Sequence, residues 1–165
     1  MRPTRAPEEA RVTIEVGQEA PDFELPDQQR NKVKLSNFRG DKNVVVVFYP
    51  FTFTGVCTGE LCEIRDDLAA YERAGAQVLA VSCDSPFAQA KFADEQGYTF
   101  PVLSDFWPHG AVAKAYGVFN ETNGAARRAT FVIDKEGKVV STFASPDLGT
   151  PRDKARYDEA LAKLS

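Results

Sequence analysis

The residues most able to do chemistry in this chain of 165 are its three cysteines, Cys57, Cys62 and Cys83. A thiol is mostly protonated at neutral pH, and the thiolate is the nucleophile. A helix N-terminus favours the charged form through its free N–H groups and its dipole. Cys57 follows a loop, Phe51 to Val56, and stands in or just before the first turn of a predicted helix. Thr54, three residues earlier, has a hydroxyl that can donate to the sulfur or cap the helix. Pro50 has no N–H to donate, and its fixed φ shapes the loop. Taken alone, a cysteine near a helix start is more often a small buried hydrophobe. The chain has no Cys-x-x-Cys and a single histidine, His109, so neither a dithiol exchange site nor a zinc site is expected. Three unevenly spaced cysteines are not a secreted disulfide framework and suit a reducing, cytoplasmic setting.

These residues need elements to position them. Val44 to Tyr49 is a continuous apolar run, as in a strand buried on both faces, and Pro50 ends it. Beyond the loop, Leu61, Ile64, Leu68 and Tyr71 recur at helical spacing, which predicts one helix stopped at Gly75. Val33 to Leu35 and Gln77 to Cys83 read as strands. Ser85-Pro86 is an N-cap with proline at the first helical position, and Gly97 closes that helix. Phe100 to Leu103 is a short strand and His109 to Tyr116 a short helix. Thr130 to Asp134 and Lys138 to Phe143 are strands joined by a tight turn at Lys135-Glu136-Gly137, and Arg152 to Leu164 is a closing helix. The pattern is an α/β domain with a mixed central sheet flanked by helices, over residues 12–165, behind a flexible tail at 1–11. Cys57 then sits beyond the C-terminal end of a central strand, where open α/β sheets put their ligands.

The arrangement Pro50-x-x-x-Thr54-x-x-Cys57 resembles the active-site signature of the peroxiredoxins. The run from Phe48 to Leu61, the string from Leu103 to Val112 and the opening Gly17 to Phe23 resemble the alkyl hydroperoxide reductase E group. The resemblance covers Val12 to Leu164 and implies a thioredoxin-like fold. It implies a thiol-dependent peroxidase that reduces hydrogen peroxide and organic hydroperoxides through a Cys57 sulfenic acid, assisted by Pro50, Thr54 and an arginine. Arg128 matches that arginine by register, two residues before Thr130, and Arg127 reads better as a solvated neighbour. A guanidinium there would favour the thiolate and steady the peroxide oxygens. Glu60 resembles the carboxylate that orients the arginine, and reads equally as a first-turn carboxylate favoured by the dipole.

Cys62 departs from that group and resembles the resolving cysteine of the bacterioferritin-comigratory peroxiredoxins; a buried bystander is the other reading. On an intact helix, positions i and i+5 lie roughly 8–9 Å apart at Cα. A disulfide needs less than about 7 Å, so resolution by Cys62 requires the first turn to unwind. The family implies thioredoxin, a mycoredoxin or a low-molecular-weight thiol as reductant, and a homodimer. A peroxide-sensing relay without rapid turnover is the alternative from another class. Cys83, at a strand end, reads as packing, and the segment holding Trp107 and His109 as structure or interface.

A net charge of −4 argues against nucleic-acid or anionic-membrane partners, and no apolar run is long enough to span a bilayer. The first eleven residues hold three arginines, two prolines and two glutamates but no apolar stretch, so no secretory signal is expected. No cofactor is called for.

Overall fold

The computed structural model describes residues 14–164. The tail expected at 1–11 lies outside that range. Five strands form a mixed sheet: β3 (Asn43–Phe48), β4 (Ala76–Ser82), β5 (Val102–Ser104), β8 (Ala129–Ile133) and β9 (Val139–Ala144), in the order β5-β4-β3-β8-β9. β3 runs parallel to β4 and antiparallel to β8. All six residues of β3 are buried, as the apolar run that begins at Val44 requires of a central strand. Two small antiparallel pairs stand apart from it, β1 (Glu24–Pro26) with β2 (Lys32–Lys34) and β6 (Phe119–Asn120) with β7 (Ala125–Ala126); β2 answers the strand expected at Val33 to Leu35, one residue earlier, and the other three went unread in the sequence. Segments of two or three residues are too short to carry a periodicity.

Alternation along β3 divides the core. Val44, Val46 and Phe48 pack with Leu25, Tyr116 and Phe131. Val45, Val47 and Tyr49 pack with residues from the helices α1 (Gly55–Asp66), α2 (Leu68–Arg73), α3 (Pro86–Gln96) and α5 (Lys154–Ala162), among them Leu61, Tyr71, Phe92 and Tyr157. Helix α3 is bounded as its sequence predicts. The Ser85 hydroxyl accepts from the Ala88 N–H, and Gly97 ends the helix at φ 69°, a left-handed conformation that favours glycine.

Three expectations need correction. The helix after Cys57 begins at Gly55, two residues inside the expected loop, and breaks at Asp67 into α1 and α2. Aspartate is a poor helix-interior residue, yet the apolar stripe continues across it, so periodicity alone cannot show the break. The last helix starts at Lys154 behind an Asp153 cap, leaving Arg152 outside it. The helix expected from His109 shrinks to α4 (Ala111–Ala115), preceded by Gly110 at φ 70°, where the Phe119 ring leaves no room for a Cβ. No helix among the described residues is long and apolar enough to cross a membrane.

Candidate active site

Strand register brings the site together. The antiparallel pairing of β3 with β8 sets Phe48 opposite Ala129. Chain leaving the end of β3 through Pro50 therefore lies beside chain about to enter β8, and the residue just before β8 is Arg128. Helix α1 buries Cys57, Glu60, Leu61 and Ile64, the i, i+3, i+4, i+7 stripe of an amphipathic helix. Cys57 and Glu60 thus face the same interior. The Cys57 residue has no exposed surface, and Arg128 Nη1 donates to its Sγ at 3.1 Å.

The same Nη1 donates to Glu60 Oε1 at 2.7 Å, and Arg128 Nε donates to the Leu148 carbonyl at 2.8 Å. Arg152 is the partner that sequence reasoning missed. Its backbone N–H and Nε each donate to Glu60 Oε2 at 2.8 Å, Nη2 to Oε1 at 3.0 Å, and Nη1 to the Phe48 carbonyl at 2.6 Å. Glu60 lies in the second turn of α1, clamped between two buried arginines, so the first-turn dipole reading does not hold. Burial by itself would raise the Glu60 carboxyl. The charge and hydrogen bonds of Arg152, and then the charge of Arg128, outweigh it and hold the group below the usual carboxylate range. The buried cluster of Arg128, Arg152 and ionised Glu60 carries a net +1, which a thiolate at Cys57 would cancel.

The loop between β3 and α1 is pinned from below. Asp84 accepts from the Thr52 N–H at 2.9 Å and from the Ser82 hydroxyl at 2.7 Å, while Tyr49 and Thr52 share a hydroxyl contact of 3.0 Å. Pro50 is buried at the head of this loop. Thr54 is the N-cap residue of α1, but its hydroxyl donates to the Phe51 carbonyl at 2.8 Å. In this state it neither caps the helix nor bonds the sulfur, and the alternative acceptor in the loop explains why.

The AhpC/TSA family pattern matches residues 16–142. The chain belongs to this family. It is 47% identical over 152 residues to alkyl hydroperoxide reductase E of Mycobacterium tuberculosis, covering 92% of this chain and 99% of the relative. It is 35% identical over 136 residues to peroxiredoxin Bcp of Escherichia coli, covering 79% and 85%. Among solved structures, peroxidoxin BcpB of M. tuberculosis superposes with a TM-score of 0.81 at 36% identity, over 92% of this chain and 96% of that one. AhpC of Enterococcus faecalis superposes at 0.82 with 29% identity, over 92% of each. The fold is thioredoxin-like, and the chain is a peroxiredoxin, a thiol-dependent peroxidase, as its sequence implies.

The remaining thiols of this peroxiredoxin differ in setting. Cys62 is half-buried, donating to Gln96 Oε1 at 3.4 Å and lying 3.4 Å from the Tyr98 hydroxyl. Cys83 is buried at the end of β4, where burial, followed by the charge of Asp105, pushes its thiol up to about 12. Arg127 is half-buried and its backbone N–H pairs with Val118. His109 meets the Gly124 carbonyl at 2.6 Å.

Proposed function

We propose that Cys57 is the residue oxidised by peroxide, with Arg128 as its catalytic partner and Glu60 and Arg152 as positioning residues. The observation that carries this reading is the Arg128 Nη1–Cys57 Sγ contact of 3.1 Å inside a buried cluster of net charge +1. The Cys57 sulfur attacks one peroxide oxygen: an S–O bond forms, the O–O bond breaks, and the other oxygen leaves as water or an alcohol, taking up the proton that the thiol gives up. Arg128 Nη2 makes no hydrogen bond to any described residue, so its protons are available to the substrate oxygens as charge moves onto the leaving one. Thr54 takes part by turning its hydroxyl from the Phe51 carbonyl toward the sulfur or the peroxide, and Pro50 shapes the loop that carries it. Cys57 has no exposed surface in this state, so its cover must move before hydrogen peroxide or an alkyl hydroperoxide can reach the sulfur.

The sulfenic acid returns to thiol through Cys62, an external thiol, or both in turn; thioredoxin, a mycoredoxin or a low-molecular-weight thiol would supply the electrons. Three free cysteines support a cytoplasmic setting, and the exposed neighbours Phe106 and Trp107 support a homodimer. The peroxide-sensing relay is not favoured. A peroxide-consumption assay with a thiol reductant tests the central role. Cys57→Ser should abolish turnover and Cys83→Ser should keep most of it. Substantial turnover by Cys57→Ser would remove Cys57 from the chemistry.

A further inference from the structure

Helix α1 meets the end of α3 along a polar stripe. Thr58, Cys62 and Arg65 are spaced i, i+4, i+7 and share one helix face. The Tyr98 hydroxyl donates to the Thr58 carbonyl at 3.3 Å while lying 3.4 Å from Cys62 Sγ. Cys62 donates to the Gln96 side chain at 3.4 Å, and Arg65 Nη1 to the Gln96 carbonyl at 2.6 Å. Tyr98 has little freedom to move. Its ring stacks on Phe100 at 5.1 Å and sits edge-on to Phe92 at 5.3 Å. A fixed hydroxyl therefore touches both the turn that carries Cys57 and the sulfur five residues further on.

Thr58 lies within the turn that must unwind for Cys57 and Cys62 to meet, and Arg65 lies beyond it. Unwinding breaks the Tyr98–Thr58 bond and leaves the Arg65–Gln96 bond as the fixed end. We propose that Tyr98 is a latch on this turn, a positioning residue that sets whether oxidised Cys57 proceeds to a disulfide or to sulfinic acid. The proposal rests on the reading of Cys62 as the resolving thiol. With the turn open, the Cys62 sulfur attacks the sulfenic sulfur of Cys57. The S–S bond forms, the S–O bond breaks, and the oxygen leaves as water, carrying the Cys62 proton. With the turn latched, the sulfenic acid waits, and a second peroxide adds an oxygen to give sulfinic acid plus water or alcohol.

Tyr98→Phe deletes the hydroxyl and keeps the ring stack. Losing one neutral hydrogen bond should raise the open population roughly 3- to 10-fold. Quenched, alkylated samples analysed by mass spectrometry after one equivalent of hydrogen peroxide should show disulfide forming faster by that factor. The peroxide concentration for half over-oxidation should rise in step, as should amide exchange at residues 58–62 of the reduced protein. The rate constant for peroxide attack on Cys57 should stay the same, which a general loosening of the core would not give. Gln96→Leu frees Cys62 while leaving the carbonyl that Arg65 uses, and should act in the same direction. Unchanged or slower disulfide formation in both variants, with the Cys57–Cys62 disulfide still mapped in the parent protein, overturns the latch. Absence of that disulfide in the parent overturns the resolving role and the latch with it.

Discussion

Arg128 and Arg152 divide the work around one carboxylate. Arg128 spends its two Nη1 protons on Cys57 and Glu60, whereas Arg152 holds Glu60 by three donors and never reaches the sulfur. Their losses should therefore differ in kind. Arg128→Ala removes a donor to the proposed nucleophile and should slow peroxide attack by roughly 10²-fold, measured by stopped-flow, with Arg127→Ala as an unaffected control. Arg152→Ala leaves Glu60 short of a buried partner and should cost about 3–5 kcal/mol of stability by urea unfolding, with slower attack as a consequence. A similar loss of attack rate in Arg127→Ala would take Arg128 out of its special role. Arg128 was legible through the family resemblance, which expects an arginine just before this strand. Arg152 was not, because it reads as the first residue of an amphipathic helix. One signal was overlooked: a cation at a helix N-terminus opposes the dipole, so an arginine there must be answering something else.

Helix ends announced by side chains that satisfy the backbone were readable, as at Ser85, Pro86 and Gly97 around α3. Boundaries set by tertiary pairing were not. The break at Asp67 leaves the apolar stripe intact, and the start of α1 at Gly55 has no capping hydrogen bond to mark it. Ser85 is accordingly a clean probe of a local signal. Ser85→Ala should lower stability by about 1 kcal/mol, read from the urea midpoint, because the Ala88 N–H loses its acceptor. Peroxide attack should not change, since the cap lies on α3 and the groups proposed to react lie on α1 and at the head of β8. A loss well below that value would mean that water replaces the Ser85 hydroxyl. The mixed sheet itself was legible because β3 is apolar from Val44 to Phe48, whereas its neighbours' register emerges only from pairing, and it is register that brings Arg128 to Cys57.

At the scale of the whole molecule, the buried cluster ties folding to pH. Glu60 is held below its usual range in the folded protein, so its ionised form is favoured by folding. A depressed carboxyl contributes stability above its unfolded value, and the contribution is lost as pH falls through the folded value. The window opens near pH 4, where an unfolded glutamate titrates at about 4.3, and extends downward. Asp105 runs the other way: burial raises its carboxyl, despite the N–H groups of Ala113 and Val112, so its ionisation opposes folding and acid relieves that cost. Urea midpoints from pH 7 to pH 2 separate the two. Glu60→Gln should be less stable than the parent at pH 7, because Arg128 and Arg152 lose their counter-charge, and the gap should narrow as pH drops below 4. Asp105→Asn should instead flatten an opposing slope and move closer to the parent at neutral pH only if its two N–H donors keep an acceptor. A Glu60→Gln gap that stays constant from pH 7 to pH 2 would show that the carboxylate's charge is not what the two arginines hold. The electrostatic account of the cluster would then give way to one of shape alone.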